Sequence, residues 1–269
     1  MAEVGTAFLM YHELALPGRT LCNTESGYTR YAVTVSEFGK QMDQLACDGW
    51  RGKNVSQAIQ SFDHKSVCIT FDDGSETDLL CAAPLLQKAG FGATFYVTAG
   101  FLGKAGYLSE SQLRTLSALG FEIGCHSQTH PYLTDIDCSR LHDETKGAKE
   151  RLERIIGVPV DHFSCPGGRW NRRVIEAVKA AGFRTMAISR TGVNFATTDR
   201  FALARIAVLE TATVEGLMRA CRGQGLHQAQ FQEKARAAIK RVLGNSTYDF
   251  LRALILGHKR KANSEFHNQ

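Results

Sequence analysis

Short apolar runs that alternate with longer amphipathic stretches limit this chain's fold more than any other feature. The run Val67-Cys-Ile-Thr-Phe71 stops at Asp72-Asp73-Gly74, which reads as a strand ended by a turn. Residues 77–89 follow with Leu80, Leu85 and Leu86 at helical spacing and Gly90 as the stop. Residues 93–97 are the next strand. Ser109 with Gln112 resembles a capping box opening a helix over 110–119 that Gly120 ends. Strand-like 121–124, a long helix over 137–156, strand 162–164, a helix over 171–181 and strands at 185–188 and 203–209 continue the rhythm. Ahead of all these, residues 36–45 read as a helix beside an amino-terminal strand. Such alternation predicts parallel strands joined by crossover helices, an α/β sheet or barrel.

Composition narrows the class. With 43% apolar and 22% charged residues over 269 positions, the chain is globular rather than disordered. Its net charge of +5 lies wholly in residues 231–269, which hold eight Lys or Arg against three Asp or Glu, so residues 1–230 are neutral. A neutral body offers no broad basic footprint, which argues against a nucleic-acid partner. No run reaches the ~18 apolar residues of a membrane span. The opening MAEVGTAFLMYHELALPG lacks the basic flank of a secretory leader, and the expected location is the cytoplasm. Eight cysteines without a C-x-x-C pair read as reduced thiols in a chain this long.

Three strand ends carry unusual polar groups. Adjacent Asp72 and Asp73 repel each other, and a cation that neutralises one leaves the other as a free base; a plain Asx turn or helix N-cap is the competing reading. His126 and His130 stand at i and i+4, a spacing that puts both imidazoles on one face of a helical turn within reach of one metal ion. Two unrelated histidines meeting by chance is the alternative. Pro166-Gly167-Gly168 suits close approach of backbone to a ligand, or simply a turn. In parallel α/β folds the carboxyl ends of the strands converge on the ligand-binding face, which would bring these segments together.

T-F-D-D-G at 70–74 and H-S-x-x-H at 126–130, in that order, resemble the polysaccharide deacetylases of the NodB-homology type, carbohydrate esterase family 4. The likeness spans about residues 65–190. It implies a distorted (β/α) barrel and one divalent metal ion, zinc by preference, held by Asp73, His126 and His130. By the same resemblance Asp72 is the general base, and the substrate is an N-acetylated glycan that loses acetate. Two departures stand out. The family's third motif reads R-x-P-Y, but Ser164-Cys165-Pro166-Gly167 stands here, so the Arg that orients the base is missing. Arg169 is a candidate substitute, with a surface charge at the helix start as the competing reading. The family's late L-x-x-H has no match, since His227 lacks an apolar strand before it. Instead, Phe8-Leu-Met-Tyr-His12 resembles the opening of the subgroup of poly-N-acetylglucosamine deacetylases, which makes His12 the candidate general acid.

Around this centre, Pro166, Gly167, Arg169, Trp170 and Arg190 are the expected substrate-binding residues, with Asn194 and Arg205 as further partners for sugar hydroxyls; pairing with acids is the competing reading for Arg190 and Arg205. Competing readings are an amidohydrolase of small non-sugar amides and a barrel that binds sugar without turnover. Retention of Asp72 beside a full ligand set favours turnover. The expected organisation is a catalytic domain over 1–230 and a basic amphipathic helical tail over 231–269, suited to peripheral contact with an anionic membrane or to packing on protein.

Overall fold

The computed structural model describes residues 5–227, 230 and 231. The expected opening strand is β1 (Thr6–Tyr11), buried along its whole length. Two short strands, β2 (Leu14–Ala15) and β3 (Val33–Thr34), pair in parallel as a separate ribbon around the single-turn α1 (Ser26–Thr29). Then come α2 (Val35–Cys47), β4 (Arg51–Lys53), α3 (Val55–Gln60) and the central strand β5 (Ser66–Asp73). The strand–helix alternation follows as α4 (Ala83–Ala89), β6 (Thr94–Val97), α5 (Glu110–Ala118), β7 (Glu122–Cys125), α6 (Cys138–His142), α7 (Ala148–Ile156), β8 (His162–Ser164), α8 (Arg172–Ala180) and β9 (Thr185–Ala187). Two-residue strands β10 (Val193–Asn194) and β11 (Ile206–Ala207) precede α9 (Val214–Cys221).

Strands run in the order β10-β1-β5-β6-β7-β8-β9, with β11 also on β1 and β4 also on β5. Every pairing from β1 through β9 along this path is parallel, and only β10 lies antiparallel on β1. Leu203 bridges to Ala187 of β9, while Ile206 and Ala207 pair with Leu9 and Met10 of β1. The segment 203–207 therefore links the last strand back to the first, and the sheet curls into a distorted (β/α) barrel, as the sequence led us to expect.

Period-two alternation sorts the strand side chains between two layers. Outside the barrel, Tyr11, Phe71 and Phe95 stack in a row at 5.3 and 4.9 Å, with Phe38 of α2 and Phe121 set edge-on against them. Inside, Phe8, Cys68, Tyr96, Ala187 and Leu203 form a cluster with Val55, Ala58 and Ile59 of α3, which plugs the end of the barrel remote from the carboxyl ends of the strands. With that end filled, the opposite rim is left for polar side chains.

Two expected helices are interrupted. Residues 77–89 begin as a π turn over Asp78–Ala82, and the long helix over 137–156 is α6, a π turn over Asp143–Gly147, then α7. The apolar spacing of a π turn differs from that of an α-helix by one inserted residue, so periodicity alone does not reveal it. Each π turn carries a buried carboxylate, Asp78 in one and Glu144 in the other. All eight cysteines are free. The first compact unit ends at Gly225 and the second begins at Leu226; the two tail helices expected after residue 231 lie outside the described residues.

Candidate active site

In a regular strand, Asp72 and Asp73 would point to opposite faces. Asp73 instead has φ +79°, a left-handed value rare for a residue with a side chain, and Gly74 continues at φ +86°. This twist at the end of β5 turns both carboxylates to the rim. His126 follows β7, and its Nδ1 lies 2.8 Å from the carbonyl oxygen of Ser164. Donation from Nδ1 to that carbonyl fixes the tautomer and leaves Nε2 with a free lone pair. Nε2 of His126 and Nε2 of His130 each stand 3.6 Å from Oδ1 of Asp73. The three donor atoms lie within 4.8 Å of one another.

The sequence reading placed the two histidines on a helical turn, and this is corrected. Residues 126–130 form a loop, with Ser127 and His130 both at positive φ (67° and 62°). Pro131 disfavours the α region for His130, and the loop is held by hydrogen bonds instead of a helical ladder.

Asp72 is pinned by Arg205. Nη1 donates to Oδ1 at 2.7 Å and Nη2 to Oδ2 at 2.8 Å, a bidentate fork, while Nη2 also reaches Oγ of Ser164 at 2.8 Å. Burial alone would raise the Asp72 pKa, but the Arg205 guanidinium and then His126 outweigh it and hold the carboxyl well below the usual carboxylate range. Asp72 is therefore a fixed anion beside the three donors, with Oδ2 3.8 Å from Nε2 of His126.

Three comparisons bear on this arrangement. The polysaccharide deacetylase family model matches residues 60–186. The Bacillus subtilis protein YxkH is 25% identical over 206 residues, 74% of this chain and 70% of that protein. Residues 60–186 are a polysaccharide deacetylase domain. A chitooligosaccharide deacetylase of Azorhizobium caulinodans is 33% identical over 128 residues, which cover 46% of this chain and 58% of that enzyme. Among solved structures, Streptococcus pyogenes deacetylase PplD in complex with acetate has a TM-score of 0.73 at 22% identity, covering 82% of this chain and 99% of that one. IcaB from Ammonifex degensii has 0.69 at 24%, covering 82% and 98%. At these identities the two structures show the fold. The deacetylase domain makes the chain a hydrolase that acts on amide bonds.

Arg205 stands against Asp72 where the resemblance led us to expect a third-motif Arg. Arg169, the substitute considered from sequence, does not: its guanidinium lies over the Tyr132 ring at 3.5 Å. Ser164, at the start of the altered motif, has become a hydrogen-bonding partner of Arg205 and Asp72. Arg205, read from sequence as a partner for sugar hydroxyls or for an acid, is buried and committed to Asp72. His12 directly follows β1, whose Tyr11 pairs with Phe71 of β5, so it lies next to Asp72 at the carboxyl end of the sheet. Its ring stacks on Tyr31 at 4.6 Å, and its Nδ1 is buried without a hydrogen bond.

Of the expected substrate residues, Pro166 is buried in a 3₁₀ turn over Pro166–Gly168, and Gly167 has φ +59° with the Tyr132 ring where a Cβ would sit. Trp170 is exposed, while Arg190 donates from Nη2 to the carbonyl of Ala202 at 3.2 Å. Asn194 is spent on the backbone of Ala204, donating and accepting at 2.8 Å, and is corrected from sugar ligand to strand brace.

Burial pushes the His126 pKa down to about 4, the two neighbouring aspartates opposing that shift and His130 reinforcing it. In the metal-free protein His126 is neutral when folded and protonates near pH 6.5 when unfolded, so stability falls as pH drops from about 6.5 to 4. The expected loss is on the order of 3 kcal/mol across that window. Chemical denaturation of chelated protein at several pH values, with His126→Gln as control, checks it. An unchanged slope in the variant would remove His126 as the source.

Proposed function

We propose that this deacetylase is metal-dependent and hydrolyses the acetamide of an N-acetylated amino sugar within a glycan, releasing acetate. The observation that carries the reading is the pairing of a three-donor group with a second carboxylate, Asp72, that Arg205 holds ionised beside it. Two imidazole nitrogens and one carboxylate oxygen suit zinc, and separations of 3.6 Å match ligands bonded to one ion at about 2.0–2.2 Å. A divalent ion there supplies Lewis acidity toward water and toward an amide carbonyl.

The chain's own groups do the rest. Asp72, anchored on both oxygens, is placed to take a proton from an attacking water. Its low basicity is compensated only where the water is itself acidified, which is why the base stands within 4 Å of a metal ligand. His12 faces the same rim and returns a proton to the departing amine; burial lowers its pKa, so the protonated ring is a willing donor. Tyr31 holds that ring in orientation through the stack, with the Arg30 guanidinium 5.2 Å from the far ring centre.

Acetate release from N-acetylglucosamine oligomers tests the assignment. Chelated protein should be inactive and zinc should restore it. Turnover that survives complete chelation would refute metal dependence. Cleavage confined to small non-sugar amides would move the substrate class. His12→Ala should lower kcat by about 10²–10³-fold with zinc affinity unchanged. Full activity in that variant would remove His12 from the acid role.

A further inference from the structure

The loop that carries both histidines is costly to hold. Ser127 and His130 are non-glycine residues in the left-handed region, a conformation that persists only where the surroundings enforce it. Backbone contacts supply part of the hold: Ala99 N–H donates to Ser127 O at 3.0 Å, and Gly100 N–H donates to Gln128 O at 2.7 Å. The Ser127 hydroxyl accepts the His130 N–H at 3.0 Å. The one carboxyl side chain that holds this loop is Glu144, from the π turn over Asp143–Gly147.

Glu144 is 3% exposed. Its Oε2 accepts the N–H groups of Gln128 at 2.9 Å and Thr129 at 2.7 Å, and its Oε1 accepts the Thr129 hydroxyl. Among the described residues its hydrogen bonds all come from that loop. A buried carboxylate that takes its donors from two consecutive residues between His126 and His130 fixes the span between them. His130 needs this most, because its side chain is about one-third exposed whereas that of His126 is buried. We propose that Glu144 is a positioning residue for the metal ligands, setting the affinity of the site through the loop it braces. The inference rests on the metal-dependent reading above.

The π turn is part of the device. Leu141, Glu144, Thr145 and Ala148 all face the interior, so an acidic side chain occupies a core-facing position of a helix that otherwise buries apolar residues. A carboxylate there is tolerated because the loop's donors satisfy it; without them it would be an unpaired buried charge.

Zinc affinity by competition with a chromophoric chelator, and the visible spectrum of the cobalt(II) form, test the proposal without reference to turnover. Glu144→Ala should bind zinc 10–100-fold more weakly than the parent and show an altered cobalt spectrum. Glu144→Gln keeps one oxygen for the two backbone N–H groups and should stay within about fivefold of the parent. Thr129→Val deletes one hydrogen bond, and should cost about threefold with little change in unfolding temperature. A parent that binds no metal overturns the metal-dependent reading itself. A parent that binds, beside a Glu144→Ala protein within twofold of it and spectrally identical, overturns the role of Glu144 alone. Should Glu144→Ala not fold, Thr129→Val decides, and an affinity equal to the parent's then overturns the proposal.

Discussion

Arg205→Ala should unfold about 10 °C below the parent and keep at most about a hundredth of its deacetylase turnover. Arg205 is 1% exposed and Asp72 2%, so neither charge is solvated by water. Deleting one partner of a buried ion pair costs about 3–5 kcal/mol, because the other is left uncompensated. Here that residue is the proposed base. Without the fork, burial acts on Asp72 with no guanidinium to oppose it, so its pKa must rise from far below the usual range. A carboxyl that protonates more readily loses activity first on the acid side, so the acid limb of the kcat/KM profile should move to higher pH. Arg205→Lys should retain a charge and lose the planar two-point contact, giving an intermediate shift. The pH–rate profiles of the three proteins, with their thermal unfolding, check this. Superimposable acid limbs would mean that Arg205 supports only the fold.

The barrel could be anticipated because its strands and helices each announce themselves within a dozen residues, and the metal-ligand candidates because each set sits in one short segment. Arg205 shows where that method stops. It lies 133 residues from Asp72 along the chain, and nothing near it in sequence says which acid it meets. What brings it to the base is curvature: residues 203–207 pair with β9 on one side and β1 on the other, a closure that local periodicity does not encode. The same blindness explains Arg169, a reasonable substitute by sequence distance that the fold directs to Tyr132. For the histidines, i, i+4 spacing was informative about proximity and misleading about conformation, since a loop with two left-handed residues brings the rings to 4.9 Å without any helix. Glu144 was visible as a letter but unmotivated, because its partners are backbone N–H groups. One signal was available, an acid at a core-facing helical position.

Asp72→Asn separates catalysis from the support of the site. The variant keeps one carbonyl oxygen for Arg205 and leaves Asp73, His126 and His130 in place, so zinc should still bind. Turnover should fall by about 10³-fold or more, since an amide cannot take the proton from water. Stability should fall too, because the Arg205 charge is now buried against a neutral group whose NH₂ faces a donor. Adding Arg205→Met removes that stranded charge, and a well-packed apolar replacement for a buried ion pair often restores stability or exceeds it. The double variant should therefore melt above Asp72→Asn, approach the parent and remain inactive. That pattern, with stability rescued and activity not, belongs to a carboxylate whose ionised form does chemistry while its partner holds it ionised. If metal-loaded Asp72→Asn keeps more than a tenth of the parent's turnover, Asp72 is not the base, and the fork with Arg205 is a structural pair placed beside the site.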